Sequence, residues 1–307
     1  MVGTYRTGTP LITKLIRLLT AFQFSAIFIF ESKSYGVIIL AVLSFTIFLL
    51  GAYENHGRIR VKLEAYHLFI LGFMLFCYAS SIWAWDAVFS LEKGNTLLGI
   101  LVCYSFVYSY YRHNDSVDSL LYAIMWGCYI VMLSSIISFG WDEVLRTIQS
   151  EGRLTTGFTN INSLGMIMAL AILINVYRIQ VEGFRIWDVL MVPTVIMIAA
   201  SASRKALVLS VVGVALLSLT KESGTRRSLA KKMLRLIAVA AGIYLLIRLI
   251  ASSALFSGVN NRMQGLFALI TGRGEVDHSA WVRQRMIEIG WEQFLKTPIL
   301  GIGMGNA

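Results

Sequence analysis

A chain of 307 residues that is 57% hydrophobic and only 14% charged, with a formal net charge of +10, is excluded from the water-soluble globular class, because a soluble domain of this size has no interior able to hide so much apolar side chain. The apolar residues come in long blocks with no period of two or 3.6, and blocks of about 20 match the length at which a helix crosses a bilayer. Open strands are excluded there because their backbone groups would go unpaired in lipid, so the class predicted is an all-α polytopic membrane protein.

In chain order, the basic N-terminus runs into an apolar segment without a small-x-small cleavage site, which predicts a retained first span and not a cleaved signal peptide. Nine spans are predicted, at about 13–30, 35–53, 64–83, 91–111, 117–139, 161–179, 185–202, 204–220 and 233–251. The three cysteines, Cys77, Cys103 and Cys128, all fall inside apolar blocks without metal-ligand spacing, as buried structural thiols do. Between the fifth and sixth spans, Trp141, Val144, Leu145 and Ile148 recur at spacings of three and four, predicting a short helix on the outer interface. Lys and Arg concentrate in alternate connections, above all in "KESGTRRSLAKKMLR", which orients the N-terminus to the cytoplasm and residues 252–307 to the outside. The expected organisation is a transmembrane helical domain over 1–251 and an extracytoplasmic segment over 252–307. The positive charge is thereby a topology signal, with anionic membrane lipid as a contact, and nucleic acid is not a predicted partner.

The outer segment contains "SAWVRQRMIEIGWEQFLK", an amphipathic helix. Trp281, Met286, Ile289 and Phe294, with Ile287 and Leu295, can bury against the membrane domain, while Arg283, Gln284, Glu288, Glu292 and Lys296 stay polar. Pro298 stops it, and Gly301, Gly303 and Gly305 read as a turn. They do not form a phosphate loop, since no Lys follows and Asn306 stands where a third dinucleotide-type glycine would be.

Chemistry is best supported at three places. Arg204 and Lys205 stand in "SASRKALVLS" at the outer junction of two spans among small residues, where a cation is a snorkelling anchor or an anion ligand. Arg153, Gly157, Asn160 and Asn162 precede or open the sixth span, where either asparagine can cap the helix. Arg283 on the outer helix fits a solvated face as well as a ligand. The four histidines share no zinc-type spacing, and no Asp-x-Asp that would hold a metal-bound diphosphate occurs in an outer loop; Glu275 and Asp277 are the nearest approach. No metal site and no cofactor is therefore predicted.

Taken in order, "GRLTTGFTNINSLG", "SASRKALVLS" and "DHSAWVRQRMIEIGWEQFLKTPILGIGMGN" resemble the bacterial O-antigen ligase and polymerase superfamily over roughly residues 64–307. Each motif is weak alone; order, spacing and membrane side make the set more specific. The resemblance implies a metal-independent glycosyltransferase of the bacterial cytoplasmic membrane, acting on its outer face. The donor it implies is a glycan on polyprenyl diphosphate, and the acceptor a glycan or lipid. Arg204 matches the arginine of the family's S-x-S-R and Arg283 that of its S-x-x-x-R. Both are expected to bind the diphosphate, with Arg153, Arg273 and Lys205 as weaker cationic candidates and Asn160 or Asn162 shaping the site. The family's Gly-rich turn is followed by a histidine suited to act as general base, so the chain is expected to be truncated before it, and residues 1–307 alone to be inactive. The competing reading is a multi-pass transporter or flippase of lipid-linked or anionic substrates, which would place its ionisable residues at mid-membrane on broken helices.

Overall fold

The computed structural model describes residues 10–30, 35–57, 64–114, 117–149, 154, 161–220, 278–298 and 300–303. Every regular element among them is helical: α1 (Pro10–Ile29), α2 (Gly36–Glu54), α3 (Ala65–Ser80), α4 (Ala87–His113), α5 (Val117–Phe139), α6 (Trp141–Gln149), α7 (Ile161–Glu182), α8 (Met191–Ser201), α9 (Arg204–Thr220) and α10 (His278–Lys296). A 3₁₀ turn over Ile186–Leu190 leads into α8. The starts follow local chemistry. Pro10 opens α1, where its missing N–H would have no partner anyway. Asp86 caps α4 by accepting from the Phe89 amide at 2.9 Å.

Among the described residues, four helices are long and apolar enough to cross a membrane: Leu11–Ile29, Gly36–Glu54, Val117–Phe139 and Asn162–Glu182. These apolar helices are of the kind a multi-pass membrane protein carries. The stretches 67–80, 186–201 and 205–218 are apolar but shorter, α4 covers the fourth expected span without meeting the same criterion, and the ninth expected span, 233–251, lies outside the described residues. The count of nine is thus not reached by length and composition alone. Hydroxyls within the apolar helices turn back onto the carbonyl four residues earlier, as Ser44 does to Leu40, Ser135 to Val131 and Ser210 to Ala206. That satisfies a polar group with no water at hand.

The chain divides into two compact units. One takes residues 1–16, 37–117 and 273–307, the other 17–36 and 118–272. In the first, α3 packs on α4, and Phe106 of α4 meets Phe45 and Phe48 of α2 with ring centroids 6.3 and 5.0 Å away. Buried Glu54, the last residue of α2, ties three helices together: it accepts from the Thr13 hydroxyl of α1 at 2.5 Å and the Tyr110 hydroxyl of α4 at 2.8 Å. In the second unit, Cys128, Val131 and Met132 of α5 join Leu164, Met168 and Ile172 of α7 and Met197 and Ile198 of α8 in one core. Gly140, at φ 80°, turns the chain sharply from α5 into α6, a conformation that glycine adopts without steric cost.

Two helices differ from expectation in what covers them. The predicted helix over 141–149 forms, but Val144 and Ile148 enter the core of the unit while Trp141 and Leu145 remain exposed, so it docks on protein with one edge free. On α10, the apolar side chains expected to bury do not: Met286, Ile287, Ile289, Phe294 and Leu295 all stand exposed, because no described neighbour covers them. The side chain of Trp281 lies outside the described residues. Gly301 and Gly303 do form a turn, while Gly305 lies outside the described residues. The Gly301 amide donates to the Thr297 carbonyl at 3.0 Å, and Gly301 and Gly303 sit at φ 66° and 93°.

Candidate functional site

The second unit gathers three helix ends at one place: the start of α7, the end of α8 and the start of α9. The residues that make the gathering possible are small. α8 ends on Ser201, Ala202 takes the left-handed conformation at φ 51°, and Ser203 immediately precedes the next helix. Holding a non-glycine residue in that conformation costs about 1–2 kcal/mol. The two serines offset it. The Ser201 hydroxyl donates to the Ile198 carbonyl at 2.8 Å and accepts from the Ser203 amide at 3.3 Å. The Ser203 hydroxyl accepts from the Ala206 amide at 3.4 Å and so caps α9. Both serines are buried.

This turn is pressed against the second turn of α7. A Cβ placed on Gly165 would lie 2.5 Å from the Ser201 hydroxyl, 2.7 Å from the Ser203 Cβ and 3.1 Å from the Ala206 Cβ. Only a residue without a side chain permits that approach. Leu154, from the segment between α6 and α7, is buried in the same core as Val144, Ile148, Leu164 and Ala206.

The arrangement draws together two of the segments singled out in the sequence. Asn162, half-buried, is the second residue of α7, and Lys205, exposed, is the second residue of α9. Arg204 is the first residue of α9, although its side chain lies outside the described residues. Asn160 immediately precedes α7 but, like Arg153 and Arg273, lies outside the described residues. Arg283 is on α10, in the other unit, and its side chain is likewise outside them.

The electrostatics of the α9 start are informative. A helix N-terminus carries a partial positive charge, and cations there are disfavoured by about 0.3–1 kcal/mol each. Neither α7 nor α9 has an acidic residue in its first turn, and α9 opens on Arg204 and Lys205. Two N-terminal helix ends and two cationic residues gather here with the single C-terminal end of α8 and without an acid in either first turn, a balance that favours an anion.

Sequence reasoning passed over a second polar constellation, at the opposite end of α7. Buried Arg178 pairs with buried Asp188 of the 3₁₀ turn, and its other terminal nitrogen lies 3.7 Å from Glu182. Asp188 also accepts from the Arg185 amide at 2.6 Å, and Glu182 pairs with the Arg185 guanidinium at 3.1 Å. The Tyr122 hydroxyl donates to Glu182 at 2.6 Å, and the Tyr177 hydroxyl to Asp118 at 3.0 Å. One turn deeper, Asn175 donates to the Tyr129 hydroxyl. The group fastens α5, α7 and the start of α8 to one another. A signal was present in Arg178 and Glu182 at i,i+4 and in a lone aspartate within the apolar run 186–201.

Comparison of the chain with protein family models, with curated proteins and with solved structures found no match in any of the three.

Proposed function

We propose that the chain is a membrane glycosyltransferase of cell-surface polysaccharide assembly. In this reading it spans the bacterial cytoplasmic membrane nine times with its N-terminus inside, and transfers a glycan from polyprenyl diphosphate to a glycan or lipid acceptor on the outer face. The observation that carries the reading is the seating of Gly165 on the Ser201–Ser203 turn, which brings the opening of α7 beside the Arg204–Lys205 opening of α9. That is an anion-favouring corner built from two of the three segments that resemble the O-antigen ligase and polymerase superfamily.

The chemistry follows from the leaving group. The acceptor hydroxyl attacks the anomeric carbon, the carbon–oxygen bond to the diphosphate breaks, and the hydroxyl proton passes to a base that is none of the residues assigned. Negative charge grows on the departing diphosphate, and fixed cations stabilise it in place of a metal. Arg204 and Arg283 take that role, with Lys205, Arg153 and Arg273 as supporting cations and Asn160 and Asn162 lining the site. Guanidinium suits the task because its planar fork grips two phosphate oxygens at once.

The test is allelic replacement at the native locus. Arg204→Ala and Arg283→Ala should each lower the transfer rate by about 100-fold or more, the scale set by loss of one transition-state donor. Surface polymer is read on gels, and polyprenyl-diphosphate-linked glycan should accumulate in the membrane. Arg→Lys should rescue only in part, and chelation should leave transfer unchanged. Normal polymer from both alanine variants, with expression and insertion verified, would overturn the assignment.

A further inference from the structure

We infer that α10 is an interfacial helix, one face of which is immersed at the headgroup boundary of the bilayer. Ile287, Trp291, Phe294 and Leu295 recur at i, i+4, i+7 and i+8, the spacing of a single helical stripe. They are 73%, 61%, 49% and 63% exposed, and the Trp291 and Phe294 rings stack with centroids 5.4 Å apart. The opposite side of the helix carries half-buried Val282 and Gln293, eleven residues apart, with Met286 and Ile289 exposed beside them. Beside the stripe runs a charged flank in which Arg285 pairs with Glu288 at 3.1 Å and Glu292 is exposed. A helix with one apolar stripe and one charged flank is built for an interface plane.

What occupies the stripe follows from where the helix is pinned. The indole N–H of Trp83, just past the end of α3, donates to the Leu300 carbonyl in the turn after α10 at 3.0 Å. The turn and the α3–α4 connection belong to the same unit. Around that tether Ile82, Trp85 and Leu300 all project exposed, and α3 itself presents Phe69, Phe73 and Phe76 on its surface. The stripe and the exposed aromatic side chains of the short apolar helix α3 therefore belong to one unit, tethered at Trp83 and Leu300. Tryptophans gathered at the end of such a helix mark the membrane–water boundary. A soluble partner docking there would have to cover the α3–α4 connection as well, where Ile82 and Trp85 stand exposed, a demand that lipid meets without a shaped partner. Residue 283 stands one turn before Ile287, so an immersed stripe sets that position at headgroup depth, the level of a lipid-borne diphosphate. This last consequence rests on the proposed function; the immersion itself does not.

A depth measurement tests the immersion independently of catalysis. An environment-sensitive fluorescent amino acid is placed singly at positions 287, 291, 295, 288 and 292 of the full-length protein in liposomes of phosphatidylethanolamine and phosphatidylglycerol. Nitroxide-labelled lipid should quench the probe at 287, 291 and 295 several-fold more than at 288 and 292, and acrylamide should do the reverse. Equal acrylamide access at all five positions would overturn the inference. So would protection of 287, 291 and 295 from both quenchers, which would mean that protein, not lipid, covers the stripe. A confirmed depth profile with normal polymer in Arg283→Ala cells would sink the diphosphate role and leave the interfacial helix standing.

Discussion

Gly165→Ala is the sharpest test of the corner formed by α7, α8 and α9. In a free helix the change would stabilise by about 1 kcal/mol, because alanine restricts the unfolded chain and glycine does not. Here the new methyl group would sit 2.5 Å from the Ser201 hydroxyl and 2.7 Å from the Ser203 Cβ, both inside contact distance and both on buried residues. Ser201 cannot simply rotate away, since its hydroxyl holds the Ile198 carbonyl and the Ser203 amide around the left-handed Ala202. Overpacking of this kind costs about 1–3 kcal/mol, and a displaced hydrogen bond adds roughly 1 kcal/mol. Net of the propensity gain, the loss is about 1–3 kcal/mol, or roughly 5- to 150-fold in the folded-to-unfolded ratio. The assay is SDS-induced unfolding of the purified protein in mixed micelles, followed by tryptophan fluorescence. Gly72→Ala on α3 is the control, for a Cβ there meets nothing within 4 Å and should be neutral or stabilising. Ser201→Ala removes one of the two clashing atoms, so it should cost less in the Gly165→Ala background than alone. A Gly165→Ala protein as stable as its parent would refute the close seating and, with it, the observation on which the proposed function rests.

The same physics separates two other glycines. Gly127→Ala aims a methyl at the Ala21 backbone carbonyl, 2.7 Å away, whereas the nearest atoms to a methyl at Gly213 all belong to the Leu173 side chain. The first must move helix α1 and the second a flexible side chain, so in the same unfolding assay Gly127→Ala should be the more destabilising; the reverse order would refute the packing of α1 on α5. At the other end of α7, Asp188→Ala leaves the buried Arg178 guanidinium with Glu182, 3.7 Å away, in place of its close partner and should cost up to about 3–5 kcal/mol, while the double change Arg178→Met with Asp188→Leu should cost less than Asp188→Ala alone. A double variant less stable than the single would show that the pair itself stabilises the unit.

Which parts of this were open to sequence reasoning depends on the range of each interaction. Block length exposed the four long apolar helices, because the length a helix needs to cross lipid acts on each segment separately, while the count of nine was not reached among the described residues. The spacing of Trp141, Val144, Leu145 and Ile148 exposed α6 for the same local reason. Yet spacing defines a face and not what meets it: Val144 and Ile148 turned inward while Trp141 and Leu145 did not, and the stripe of α10 stayed uncovered. Arg178 and Asp188 were each marked as charges in apolar surroundings, but their pairing was not, because it closes across the corner between α7 and the 3₁₀ turn, where no helical period links the two positions.

The candidate site shows the same division. That Arg204 and Lys205 open a helix can be read from the serine cap before them, and cations at a helix N-terminus work against the local field, which is itself a reason to look for an anion. That the neighbouring helix opens close to Asn162 can be read from the capping residues Asn160 and Asn162. Their closeness cannot, because the contact that makes it is between a glycine with no side chain and two serines 36 and 38 residues further along. Gly165 carries no charge, ring or periodicity to mark it, and its role is visible only as the space it leaves. The argument for an anion at this corner therefore joins two kinds of fact: charges that the sequence displays, and a close approach that only the folded chain reveals. Removing either, by Lys205→Glu or by Gly165→Ala, should weaken the same binding, the first through the field and the second through the geometry.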